Sequence, residues 1–170
     1  TPHNIRIETK DAANNKSALS FKIQYKPSPA SRANSSGKMY YPFMVNVGEG
    51  SADCEFYIGE RGLYDSVQIA YRRSVSANPV VVSAIHTIGA AYIPLQEGLV
   101  VRIKPNFALP SEKMNRVLIQ RFAGTKKEIK KAEWQNEWAV ASFNSFGSFQ
   151  LVLDETAPEI IPVGFKSGQD

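Results

Sequence analysis

Residues Trp138–Leu153, WAVASFNSFGSFQLVL, decide how the chain reads. Trp138–Phe143 and Ser148–Leu153 are short runs rich in apolar and aromatic side chains, and Asn144-Ser145-Phe146-Gly147 between them carries turn formers. Runs of this length bounded by Asn, Ser and Gly read as strands joined by a turn. Back towards Met39 the pattern recurs at Tyr40–Val47, Cys54–Ile58, Ser66–Tyr71, Val80–Ile85, Leu99–Ile103 and Val117–Phe122. Turn signals separate them: Gly48-Glu49-Gly50, Gly59–Gly62, Ser76–Pro79, Gly89, Pro94–Gly98, Lys104–Pro110 and Gly124. Many short strands punctuated this way predict an all-β fold, an antiparallel sandwich or barrel, with the sandwich preferred. Lys126–Trp138 is the one stretch open to a helix, with Ile129 and Trp134 near one face. Its charges suit an exposed hairpin edge as well, and strand is the preferred reading.

Ahead of this block, Ile5 and Ile7 alternate with Arg6 and Glu8, and Leu19, Phe21, Ile23 and Tyr25 alternate with Ser20, Lys22 and Gln24. Period two on both sides of a polar Asp11–Ser17 turn predicts a hairpin, with Asn14 or Asn15 tolerating the left-handed backbone such turns need. Residues 1–25 thus read as the closing hairpin of a module. Residues 26–38, with two prolines, four serines and no bulky apolar side chain, read as a linker. Residues 39–154 form the main sandwich. Residues 155–170, where Pro158 precedes an apolar run with nothing left to pair against, read as the start of a following module.

At 170 residues and 18.8 kDa the chain has room for one large domain or two small ones, and 43% apolar residues allow a sizeable core. The net charge of +4 is unevenly spread. Residues 1–41 hold seven Lys/Arg against Glu8 and Asp11, while the rest carries thirteen basic and fourteen acidic side chains. The dense cluster Lys126, Lys127, Lys130 and Lys131 is interrupted by Glu128 and lacks an arginine–aromatic platform, so no nucleic-acid partner is expected. No run approaches the length of a transmembrane segment.

Catalytic chemistry finds little to work with. His3 and His86 are too far apart in sequence for a paired-His zinc motif, and no Gly-x-Ser-x-Gly elbow or Gly-rich phosphate loop occurs. Cys54 sits between Asp53 and Glu55, which would blunt a thiolate, and reads as a buried spacer. Asp11, Asn14 and Asn15 could offer oxygens to calcium, but turn formation accounts for them. No enzyme activity, cofactor or metal is expected. Tyr40 with Tyr41, and Trp134 with Trp138, are the candidate binding residues, as aromatic platforms for sugar or peptide; packing between strands is the alternative.

Several stretches carry a resemblance. Asp11–Phe21 is similar to the Asp-x-x-Gly-Asn-x-Ser closing hairpin of bacterial extracellular immunoglobulin-like repeats, with Asn14 where glycine is usual. Gly59-Glu60-Arg61-Gly62-Leu63-Tyr64-Asp65, Ile93–Pro105 and Phe146–Ile160 resemble the region after the peptidase domain of secreted lysostaphin-type zinc endopeptidases. The middle also resembles the β-sandwich module of ankyrins and netrin receptors. The resemblance implies Ig-like sandwich modules in a secreted or cell-envelope protein, next to a peptidase that cleaves peptidoglycan cross-links. The family's zinc-binding His-x-x-x-Asp and His-x-His are absent from this sequence. The expected role is therefore a non-catalytic accessory or spacer module. It would position a neighbouring domain or dock on envelope proteins, peptidoglycan or glycan; a carbohydrate- or peptide-binding module is the alternative.

Overall fold

The computed structural model describes residues 2–24, 37–157 and 159, and the chain divides into two compact units, Thr1–Asn34 and Ser35–Asp170. The expected linker at 26–38 therefore lies largely outside the described residues, as does most of 155–170.

In the first unit β1 (His3–Lys10) pairs antiparallel with β2 (Lys16–Ile23). Directly opposed residues share a face, so the register Ile5↔Phe21, Ile7↔Leu19 and His3↔Ile23 gathers the apolar side chains on one side of the ribbon. Asn14 takes the left-handed conformation (φ 68°). Asp11 Oδ1 accepts from the amides of Ala13 and Asn15, both at 2.9 Å, and Oδ2 accepts from Asn15 Nδ2 at 2.8 Å. These bonds, the Asn15 side chain's first, lower the Asp11 pKa and organise the turn from within.

The second unit runs β3 (Lys38–Tyr40), β4 (Asn46–Ser51), β5 (Cys54–Ile58), β6 (Val67–Ile69), β7 (Tyr71–Ser74), β8 (Ile85–Ile88) and β9 (Leu99–Ile103). It continues with a single helical turn, α1 (Ser111–Met114), then β10 (Val117–Ala123), β11 (Lys126–Lys131), β12 (Glu133–Gln135), β13 (Trp138–Phe143) and β14 (Gly147–Leu153). Among the described residues these form two five-stranded antiparallel sheets, β11-β10-β14-β8-β7 and β12-β13-β9-β5-β4, and a small β3-β6 pair. The fold is an all-β antiparallel sandwich. Alternation supplies its core: Cys54, Phe56, Ile58, Leu99, Val101 and Ile103 point inward from one sheet and meet Ile119, Phe149 and Leu151 of the other, all buried. Phe143 and Phe149 pack edge to face across the layers at 5.2 Å. Burial of each such side chain stabilises by about 1.5–3 kcal/mol.

The sheets join at a corner. β11 and β12 are one run of chain that changes sheets at buried Ala132, whose amide donates to Val117 O at 3.2 Å. The strand reading of Lys126–Trp138 is thus the observed one. Other segments differ from expectation. Tyr40–Val47 is split, because Pro42 removes a ladder donor and the Asn46 side chain closes a loop, bonding Tyr41 N, Tyr41 O and Met44 O. Gly48 and Gly50, expected in a turn, lie in β4; a Cβ at either position would overlap the ring of Phe56 or Tyr71, so glycine makes room for packed aromatics. Ser66–Tyr71 breaks at Ala70 into strands of different sheets. In Val80–Ile85 only Val81 makes an isolated bridge, to Val152, because Ser83 Oγ rather than a backbone carbonyl receives the Leu151 amide (2.8 Å).

A polar chain ties the β4 and β7 edges together. Ser51 Oγ donates to Asp53 Oδ1; Ser51 Oγ and Tyr71 OH are 2.8 Å apart; Tyr71 OH and His86 Nδ1 are 2.7 Å apart. Proton counting orients it. Ionised Asp53 only accepts, so the one Ser51 proton goes there and Ser51 must accept from Tyr71. The Tyr71 proton is then committed, and His86 Nδ1–H is the donor. Arg73 closes the outer end on Asp53 at 2.8 and 3.0 Å. His86 is fully buried and its Nε2 has no partner among the described residues. Burial pushes its pKa down to about 4, with Arg73 adding to that and Asp53 opposing it. Burial also raises Tyr71 to about 12. For Asp53 burial works upward, but the bonds from Arg73 and Ser51 outweigh it and hold the carboxyl low.

Candidate binding surfaces

The four aromatic residues singled out in the sequence do not form two platforms. Tyr40, the last residue of β3, is 5% exposed and packs on Phe56 at 5.6 Å, whereas Tyr41, the first residue of the loop that follows, is 49% exposed. Strand alternation separates the tryptophans, since successive strand residues face opposite ways. Trp134 is opposed to buried Ala139, while Trp138 is opposed to Gln135, so they leave their sheet on opposite faces.

Trp134 turns towards the core edge. Its Nε1 donates to Met114 O at 2.9 Å, which seats α1. Its ring lines a groove of ≈ 380 Å3 together with Phe107, Leu109, Met114, Lys104 and Glu137, the last two paired at 3.1 Å. Asn136, left-handed at φ 56°, makes the two-residue turn that brings Trp138 back alongside.

Trp138 lies on the outer sheet face in a cluster with Arg102, Glu55 and Tyr57. Cross-strand register creates it: Glu55 is opposite Arg102, and Tyr57 follows two residues along β5 on the same face. Arg102 Nη1 donates to Glu55 Oε2 at 2.8 Å and to Tyr57 OH at 3.0 Å, and Tyr57 OH donates to Glu55 at 2.8 Å. The Arg102 guanidinium is 4.9 Å and Lys104 Nζ is 4.7 Å from the Trp138 ring centroid, cation–π distances worth about 0.5–2 kcal/mol each. Two cations thus occupy the ring on which a sugar would stack.

At the sandwich end carrying the β5–β6 connection, a further surface escaped the sequence reading. The Tyr41–Val45 loop presents Phe43, 85% exposed, with Met44 and Val45 also exposed. Phe43 holds φ 62°, a left-handed conformation rare for a bulky side chain. Its amide donates to Glu60 O at 2.9 Å.

Among the described residues no group of three or more His, Cys, Asp and Glu is placed to hold a metal ion. Cys54 is buried, and burial, then the Asp53 and Glu55 charges, raise its thiol far above the usual range. Among the described residues no helix is long and apolar enough to cross a membrane.

Fold and surfaces together define an antiparallel β-sandwich module with aromatic surfaces on a sheet face and a loop end. Residues 45–154 match the family model of the Zu5-like domain, and the chain belongs to that family. Neither the curated proteins nor the solved structures give a match.

Proposed function

We propose that the chain is a non-catalytic spacer and docking unit of a secreted or surface-attached bacterial protein, positioning a neighbouring domain such as a peptidoglycan peptidase. The observation that carries this reading is the β1–β2 ribbon. Ile5, Ile7, Leu19, Phe21 and Ile23 are 36–61% exposed on one face of a two-stranded hairpin. Such a hairpin is marginal alone and becomes stable when further strands cover its apolar face. An immunoglobulin-like module completed by a neighbouring part of the protein would supply them. Amide hydrogen exchange tests this. In the 170-residue chain the hairpin amides should exchange far faster than those of the sandwich, and in the polypeptide made from the full coding sequence they should become protected. Equal exchange in both overturns the reading, as does release of soluble fragments when the chain is incubated with purified peptidoglycan.

A carbohydrate- or peptide-binding module is the second reading, favoured by the Trp134 groove, whose volume falls in the range of ligand sites. Tryptophan fluorescence titration with glycans and peptidoglycan fragments tests it, and no response at millimolar ligand counts against it.

A further inference from the structure

The Phe43 conformation needs a reason. A phenylalanine in the left-handed region is strained, and its ring, 85% exposed, gains no burial in exchange. Asparagine or glycine would suit the same turn with less strain. The surroundings over-determine the loop all the same. Asn46 clamps Tyr41 and Met44 with three hydrogen bonds, and Glu60 O receives the Phe43 amide. Strain held by built-in clamps collects where a protein meets a ligand. The adjoining β5–β6 connection adds Tyr64, 62% exposed.

The charges around this tip are acidic. Arg61 is paired with Glu97 at 2.9 Å, which leaves the exposed carboxylates of Glu60 and Asp65 without an ion-pair partner among the described residues. Lys126 and Lys127 belong to the opposite edge of the other sheet, with β10 and β14 between them and β8, and the cation beside the loop, Lys38, holds its Nζ 5.8 Å from the Tyr40 ring centroid. The two carboxylates outside any ion pair favour a cationic partner over an anionic lipid surface.

We infer that the loop end formed by residues 41–45 and 60–65 is a docking surface for a protein segment that presents apolar side chains beside lysine or arginine. The apolar side chains cover Phe43, Met44 and Tyr64, and the cations meet Glu60 and Asp65. The surface belongs to the sandwich alone and stands whether or not the hairpin of the first unit is covered by a neighbour.

The test is a titration of the isotope-labelled 170-residue chain, followed by backbone NMR, with three peptides of equal length: an amphipathic leucine–lysine peptide, its leucine–glutamate counterpart and a serine–lysine peptide. Phosphatidylcholine vesicles form a fourth arm. The leucine–lysine peptide should shift the amides of residues 41–45 and 60–65 and bind more weakly as salt rises. Phe43→Asn, which keeps the left-handed turn, should weaken it at least about tenfold, as expected for a central aromatic anchor, without lowering the thermal midpoint. Tyr64→Ser serves as a second apolar variant, and Glu60→Gln combined with Asp65→Asn should lower affinity several-fold. Equal binding of the glutamate or the serine–lysine peptide, preference for vesicles, shifts mapping elsewhere, or no binding by any probe overturns the inference.

Discussion

Lowering the pH from 7.5 to 4.5 should destabilise the sandwich through His86. Its pKa is about 4 in the fold, held down first by burial, against about 6.5 in an unfolded chain. The unfolded state therefore takes up the proton first, and stability is lost as pH falls between 6.5 and 4. Above that window His86 is neutral in both states; below it His86 is protonated in both and adds no further loss. The shift of roughly 2.5 pH units gives about 2.5 kcal/mol at pH 4.5, a large share of a typical domain's 5–15 kcal/mol. Burial is the physical origin, and the oriented proton chain decides which ring nitrogen bears its cost. With Nδ1–H already donating to Tyr71, an added proton must sit on Nε2, which is buried without an acceptor among the described residues. Urea unfolding followed by tryptophan fluorescence at half-unit pH steps reads the slope, with His86→Gln as the non-titrating control. His3 is present in both proteins, so the difference isolates His86. Identical pH slopes for the two would refute the reasoning.

Three further outcomes follow from single contacts. Gly48→Ala places a methyl in the Phe56 ring and should cost about 1–3 kcal/mol in urea unfolding through overpacking. Arg121→Met removes a buried guanidinium whose Nε donates to Phe146 O at 2.9 Å and Ser145 O at 3.0 Å; the orphaned carbonyls should destabilise by about 1–3 kcal/mol, with increased exchange at residues 145–147. Cys54 should resist iodoacetamide at pH 8 in the folded protein and react once the chain is unfolded in urea, as mass spectrometry will report.

Much of the architecture was legible because strand alternation is a local signal. Cys54–Ile58, Leu99–Ile103 and Trp138–Phe143 coincide with β5, β9 and β13. What was not legible depends on partners distant in sequence. Gly48 and Gly50 read as a turn until the rings of Phe56 and Tyr71 are seen against them. Tyr40 and Tyr41 look like a pair until β3 is seen to end between them, with Tyr40 in the core and Tyr41 on the exposed loop. Arg102 and Tyr57 carried no motif, since register across β5, β9 and β13 brings them beside Trp138. Phe43 was hidden inside a run that looked like a strand. Pro42 and Asn46 were the only local signs of the loop, and nothing local marks a left-handed phenylalanine.

The order of strands also has a mechanical consequence. The chain comes into the sandwich at Lys38, opposite Ile69 and next to the Ala70–Gly89 contact, which lies at the Gly147 end of β14. It leaves at Leu153, at the other end of the same strand. Tension applied across the module therefore runs along β14 instead of peeling it. This strand is gripped on both sides for its length, by β10 and by β8, and where β8 has not yet begun by the Val82–Leu151 and Leu153–Val80 bonds. Its hydrogen bonds must fail together in shear. The three-residue β3–β6 pairing at the other anchor is the weaker grip, so under load β3 should detach while the two sheets still hold.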